Sequence, residues 1–165
     1  MKIDRLDVRL LRLPLAHFFE TSFGRSYDKT FLLIRLEGEG HVGWGEAVAE
    51  QHPYYSSETT WHIITEFLAQ RVVGQTFEHP RDIFPALARV RGNNMAKAGI
   101  EMAAWDLHAR ILGKLCSRII ADSKLHPDHL RQRFQLQCLL HHAKRRFGDD
   151  LMARGVEVAH LGAQP

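Results

Sequence analysis

The chain is predicted to be an α+β protein: a three-stranded antiparallel meander followed by a helical bundle and a poorly structured tail. Three features of the 165-residue sequence predict this. Apolar residues alternate with polar ones in the first part of the chain, the spacing of half-buried strands. The glycine-bearing turn Gly38-Glu39-Gly40 joins two such runs as a hairpin does. Beyond them the apolar residues recur at helical spacing. Strands first and helices afterwards is the order of a domain whose helices cover one side of an antiparallel sheet.

Residues 2–13 place Leu6, Val8 and Leu10 on one face and Asp7 and Arg9 on the other. The phase then shifts at Leu11 and Leu13, for which a bulge near Leu10 accounts. Residues 14–29 read as a long connection holding Phe18, Phe19 and Phe23, too apolar for an idle surface loop. Residues 30–37 and 41–49 are the second and third strands. A turn at His52-Pro53 precedes an amphipathic helix over residues 57–71, with Trp61, Ile64, Phe67 or Leu68, and Val72 on its apolar side. His79-Pro80 opens a second helix that faces inward through Ile83, Phe84, Leu87 and Val90 and is shortened or kinked at Pro85. Asn93 or Asn94 caps the third helix, and Gly113 ends it. Ala96, Ala98, Gly99, Ala103 and Ala104 give that helix a low profile, so neighbouring elements approach closely. Trp61, Phe67, Leu87, Met102 and Trp105 are expected in one core.

With 45% hydrophobic and 25% charged residues, the composition is that of a soluble globular domain. Its 22 basic residues are nearly matched by 19 acidic ones, for a net charge of +3, which argues against a dedicated nucleic-acid partner. The apolar runs fall far short of the roughly 20 residues that span a bilayer. Met1-Lys2-Ile3-Asp4-Arg5 lacks the unbroken apolar stretch of a signal peptide. A cytoplasmic location is therefore expected, with no membrane partner. Cys116 and Cys138 are expected there as thiols, and no Cys-x-x-Cys motif is present.

The run Met95-Ala96-Lys97-Ala98-Gly99-Ile100-Glu101-Met102-Ala103-Ala104-Trp105-Asp106-Leu107, followed by Leu112-Gly113-Lys114, carries the most specific signal. It resembles the signature on the last capping-domain helix of the mandelate racemase and muconate lactonizing enzyme group of the enolase superfamily. Gly43-Trp44-Gly45-Glu46 and Gly74-Gln75-Thr76-Phe77 support the same resemblance. Phe19-Glu20-Thr21-Ser22-Phe23-Gly24 is similar to the loop of o-succinylbenzoate synthases and N-succinylamino acid racemases. The resemblance implies that residues 1–114 form an enolase-type capping domain and that residues 115–165 are an unrelated tail, from a frameshift or truncation.

In that family the cap closes over the mouth of a modified β/α barrel. There a barrel lysine removes the proton α to a substrate carboxylate, and Mg²⁺ held by three barrel carboxylates stabilises the enediolate. A barrel typically needs about 250 residues, far more than follow Lys114. The expected function is a truncated enzyme fragment that supplies the specificity cap, binds no cofactor itself and is inactive alone. Mg²⁺ and the small carboxylate substrate belong to the full-length family. The alternative is a non-catalytic binding or assembly module on the same fold, self-associating through its exposed barrel-facing surface. Such a module would carry polar residues where a barrel once packed; retention of Phe18, Phe19 and Phe23 favours the fragment. Synthase and racemase ancestry both stay open.

The resemblance carries a substrate-binding role over to Phe19, Thr21, Ser22, Phe23 and Gly24 and, on the second cap loop, to Tyr55. It assigns no catalytic residue and no metal ligand. Arg25 has the planar fork that pairs with a carboxylate, although an arginine on an exposed loop is more often only solvated. Glu101 and Asp106 lie five positions apart on one helix, about 140° beyond a full turn, so they face different ways and are not a catalytic pair. Asp106 is expected to hydrogen-bond within the helix packing and Trp105 to be core. His126, His129, Cys138, His141 and His142 have zinc-ligand chemistry but lack a finger spacing, and a histidine-bearing unstructured tail is the plainer account. Lys144-Arg145-Arg146, backed by Asp149-Asp150, is too short a patch for nucleic acid. One helix is expected around residues 130–140, where Leu130, Phe134 and Cys138 share a face.

Overall fold

The computed structural model describes residues 1–22, 24–49, 56–122 and 157–162. Strand β1 (Arg5–Thr21) pairs antiparallel with β2 (Gly24–Gly38), and β2 pairs antiparallel with β3 (His41–Ala47), which is the expected meander. Glu39 and Gly40 join β2 to β3 with φ of 51° and 74°. Two successive positive φ values match the right-handed twist of the flanking strands, so this two-residue turn sets the register.

Ser56 caps helix α1 (Ser57–Ile63), its hydroxyl accepting the Thr59 N–H at 3.2 Å. The helical path continues through a π-helical stretch, Ile64–Leu68, and a 3₁₀ turn, Ala69–Arg71. A second 3₁₀ turn, Pro80–Asp82, leads into α2 (Ile83–Ala86), which is as short as Pro85 leads one to expect. Helix α3 (Asn94–Ile111) then lies across the sheet, and α4 (Cys116–Asp122) follows it. Leu6 and Val8 of β1 and Leu32, Ile34 and Leu36 of β2 are fully buried beneath Ile64, Leu68, Ile83, Leu87, Ile100 and Leu107.

The low profile of α3 has the expected consequence. A Cβ on Gly45 would stand 2.0 Å from the Gly99 carbonyl oxygen, and one on Gly43 would stand 2.2 Å from that of Ala103. Backbone therefore rests on backbone where α3 crosses β3, an approach no larger residue at these positions permits.

Several sequence expectations are corrected. The β1–β2 ladder is regular from Arg5 to Pro14, so no bulge lies near Leu10. The phase shift arises because both faces of the sheet are apolar: Leu11 packs with Phe31 and Leu33, flanked by Leu13 and Trp44, away from the helices. Phe67 is 48% exposed, and Leu68 takes the buried position instead. The wider π-helical turn rotates the following side chains relative to an α-helix and decides between the two. Trp105 is buried, but in a separate cluster with Ala109 and Ile119. Asn93 occupies the N-cap position of α3 with φ 53°, yet its side chain donates to the Arg91 carbonyl at 3.1 Å and makes no cap bond.

One segment of the tail, residues 157–162, is described as a strand. Strand β4 (Glu157–Gly162) pairs antiparallel with β1 over Arg5 to Leu10, giving the sheet order β3-β2-β1-β4. It covers an edge that would otherwise present unpaired backbone groups. The helix expected around residues 130–140, the cluster of His126, His129, Cys138, His141 and His142, and the patch at Lys144-Arg145-Arg146 lie outside the described residues. Among the described residues, no helix is long and apolar enough to cross a membrane.

Candidate functional site

The segment read from sequence as a loop, residues 14–29, is a two-stranded arm. Strand β3 pairs with β2 only from Leu32 onward, and β4 pairs with β1 only as far as Leu10, so the distal parts of β1 and β2 pair with each other alone. The ladder breaks between Pro14 and Phe19 and resumes with Phe19 opposite Ser26 and Thr21 opposite Gly24. Proline has no N–H to donate, which is a physical reason for the regular pairing to end there. Leu15 to Phe18 therefore bulge opposite Tyr27.

That bulge gathers exposed aromatic rings at the end of the arm. Phe18 is 48% exposed, Phe19 59% and Tyr27 66%. The Phe18 and Tyr27 rings lie 6.1 Å apart and tilted by 54°. The Arg25 guanidinium sits 4.6 Å from the centre of the Phe18 ring, and its Nε donates to Glu20 at 2.8 Å. Arg25 thus contacts Phe18 and Glu20 of the arm itself. At the base of the arm Arg12 hydrogen-bonds Asp28, which holds the Asp28 carboxyl below its ordinary range. Such exposed pairs contribute little stability, and their main effect is to orient the ribbon.

The arm brings together four of the six residues assigned to substrate binding. Phe19 and Thr21 lie at the end of β1, Ser22 is exposed in the turn, and Gly24 opens β2. Thr21 Oγ1 donates to the Gly24 carbonyl at 3.3 Å across that turn. Gly24 has a φ of 150°, a conformation essentially restricted to glycine. Phe23 and Tyr55 lie outside the described residues. Tyr27 was not singled out from sequence; its signal is a tyrosine opposite the residues that follow a strand proline.

Chemically the arm can cover an apolar or planar ligand and exclude water from it. Glu101 is buried on α3, and Asp106 accepts N–H groups from Trp44 and Arg110, which ties α3 to β3. Among the described residues, no three His, Cys, Asp or Glu side chains stand close enough together to hold a metal ion.

Comparison with known proteins bears on this arrangement. Residues 6–120 match the family described as mandelate racemase / muconate lactonizing enzyme, N-terminal domain, a match that runs past Lys114 into α4. The chain is 45% identical over 117 residues to an N-succinylamino acid racemase of Thermus thermophilus, covering 69% of this chain and 32% of the relative. It is 40% identical over 124 residues to an o-succinylbenzoate synthase of Geobacillus kaustophilus, covering 72% and 33%. Among solved structures, an enolase-superfamily member from Listeria innocua superposes with a TM-score of 0.68 at 31% identity, covering 73% of this chain and 33% of that one. An N-succinyl Arg/Lys racemase from Bacillus cereus superposes with a TM-score of 0.63 at 30% identity, covering 68% and 31%. The chain spans about a third of the length of these relatives.

Proposed function

The chain belongs to the mandelate racemase / muconate lactonizing enzyme N-terminal domain family, the capping fold of the enolase superfamily, and from that premise we propose that it serves as a substrate-specificity cap. The cap comprises residues 1–114 together with α4. The reaction it serves is abstraction of the proton α to a carboxylate, in an enzyme of the o-succinylbenzoate synthase or N-succinylamino acid racemase type. The observation that carries this reading is the arm: a two-stranded ribbon ending in Phe18, Phe19 and Tyr27, held out from the sheet.

On this reading Phe19, Thr21, Ser22, Phe23 and Gly24, with Tyr55, line the substrate side of the arm and the second loop. Their work is to position an apolar carboxylate and keep water from a reactive intermediate, which lowers the barrier without moving a proton. The base and the Mg²⁺ site belong to the catalytic barrel of the full-length family, so no proton transfer is assigned to this chain.

The test is complementation. Purified chain and a family barrel lacking its own cap are mixed with Mg²⁺ and assayed for o-succinylbenzoate formation and for N-succinylamino acid racemisation. Neither part alone is expected to turn over, and the mixture is expected to show turnover that saturates with added chain. Metal-dependent turnover by the chain unaided, in a preparation free of host enzyme, would refute the capping reading.

A further inference from the structure

A histidine joins the short turn before α2 to the outer face of α3. His79 is the N-cap of the Pro80–Asp82 turn, where its backbone N–H donates to the Asp82 carboxylate at 3.0 Å. Its Nδ1 accepts both the backbone N–H and the Nε–H of Arg81, each at 3.1 Å. A ring nitrogen that accepts hydrogen bonds carries no proton, so this geometry requires the neutral imidazole with its proton on Nε2. On its other side the same ring meets Trp105 edge-on, with centroids 5.0 Å apart, and lies 5.5 Å from the ring of His108. Trp105 is buried with Ala109 and Ile119, the cluster on which α4 packs. One imidazole therefore caps the turn and walls the tryptophan that seats α4.

We propose that His79 is an acid-sensitive latch between the Pro80–Asp82 turn and α3. A proton on Nδ1 converts the cap acceptor into a donor that faces two Arg81 donors. The turn then loses its cap, and the imidazole leaves Trp105 and His108.

The charges around the pair set the direction. Burial holds His79 below its ordinary value, the Arg81 guanidinium and His108 add to that, and Asp82 opposes it. Burial likewise lowers His108, helped by the Met1 ammonium and opposed by Glu39 from the β2–β3 turn. Because the folded chain resists protonation here, the unfolded chain takes up these protons first as pH falls below 6.5, the ordinary histidine value. The stability the neutral pair contributes is complete above that value and is lost as pH falls toward the lowered folded value. The latch does not depend on the substrate-cap reading.

The experiment is an NMR titration of the full chain from neutral to acid pH. The expected result is an unprotonated His79 Nδ1 at neutral pH and a His79 midpoint below 6.5. The Arg81 and Asp82 amides and the Trp105 indole N–H should move with that midpoint. His79→Asn retains a side-chain cap acceptor without a titrating ring, so those signals should lose that transition. His108→Gln removes one opposing charge and should move the His79 midpoint upward. A His79 Nδ1 protonated at neutral pH, a midpoint at or above the ordinary value, or the same signals moving unchanged in His79→Asn would overturn the proposal. Should His79→Asn not fold, the tautomer and midpoint of the unsubstituted chain decide it.

Discussion

The backbone N–H of Trp44 donates to the carboxylate of Asp106 at 3.0 Å, joining β3 to α3 across 62 positions of sequence. The same oxygen accepts Arg110 Nε at 2.9 Å. Asp106→Ala removes both bonds and leaves a partly buried N–H without this partner. It should cost about 1.5–3 kcal/mol, the range for hydrogen bonds to a charged group. Asp106→Asn keeps an acceptor and should cost less. Urea unfolding checks both, and a loss for Asp106→Ala of no more than about 0.5 kcal/mol would show these bonds to be unimportant.

Gly45→Ala places a methyl 2.0 Å from the Gly99 carbonyl oxygen, which α3 cannot relieve by rotating a side chain. A loss of about 1–3 kcal/mol or more is expected, as for overpacking elsewhere. Thermal unfolding with an unchanged midpoint would mean that α3 does not lie this close to β3.

Glu46 is buried on β3, and burial raises its carboxyl above the ordinary value while Lys29 pulls it back. A raised acid stabilises the fold most fully below its unfolded value of 4.5, and that contribution is lost as pH rises through the folded value. Glu46→Gln cannot ionise. It should therefore unfold at a higher temperature than the parent near neutrality, with the difference closing as pH falls toward 4.5. A difference that grows in acid would reverse the assignment.

Ile119 of α4 is buried against Trp105 and Ala109. Ile119→Ala should cost about 2 kcal/mol, the low end for a buried isoleucine in a small cluster. A chain ending at Lys114 should likewise be less stable than one ending at Asp122. Equal stability of the two truncations would place the domain boundary at Lys114, before α4.

Phe19 is exposed on the arm, so Phe19→Ala should change stability by no more than about 0.5 kcal/mol. In the complementation assay the same variant should lower turnover. Full turnover with the alanine variant would remove Phe19 from the substrate side.

The order of strands and helices, the β2–β3 turn and the close seat of α3 were legible from local rules. A period of two or 3.6, a short glycine-bearing connection, and a run of alanine and glycine each act within a few residues. The family signature on α3 was legible in the same way, and it lies within the residues that match the family. The sequence by itself thus determined fold class, family and the arm's composition. Tertiary structure alone decided that Pro14 to Lys29 is a paired ribbon, because proline and glycine ordinarily punctuate strands and only a partner across the ladder keeps them in one. It decided that Leu68 and not Phe67 turns inward, since a π-helical turn shifts phase without a composition signal. It also decided that Glu157–Gly162 covers the β1 edge. An edge is closed by backbone hydrogen bonds, and these place few demands on which side chains accompany them.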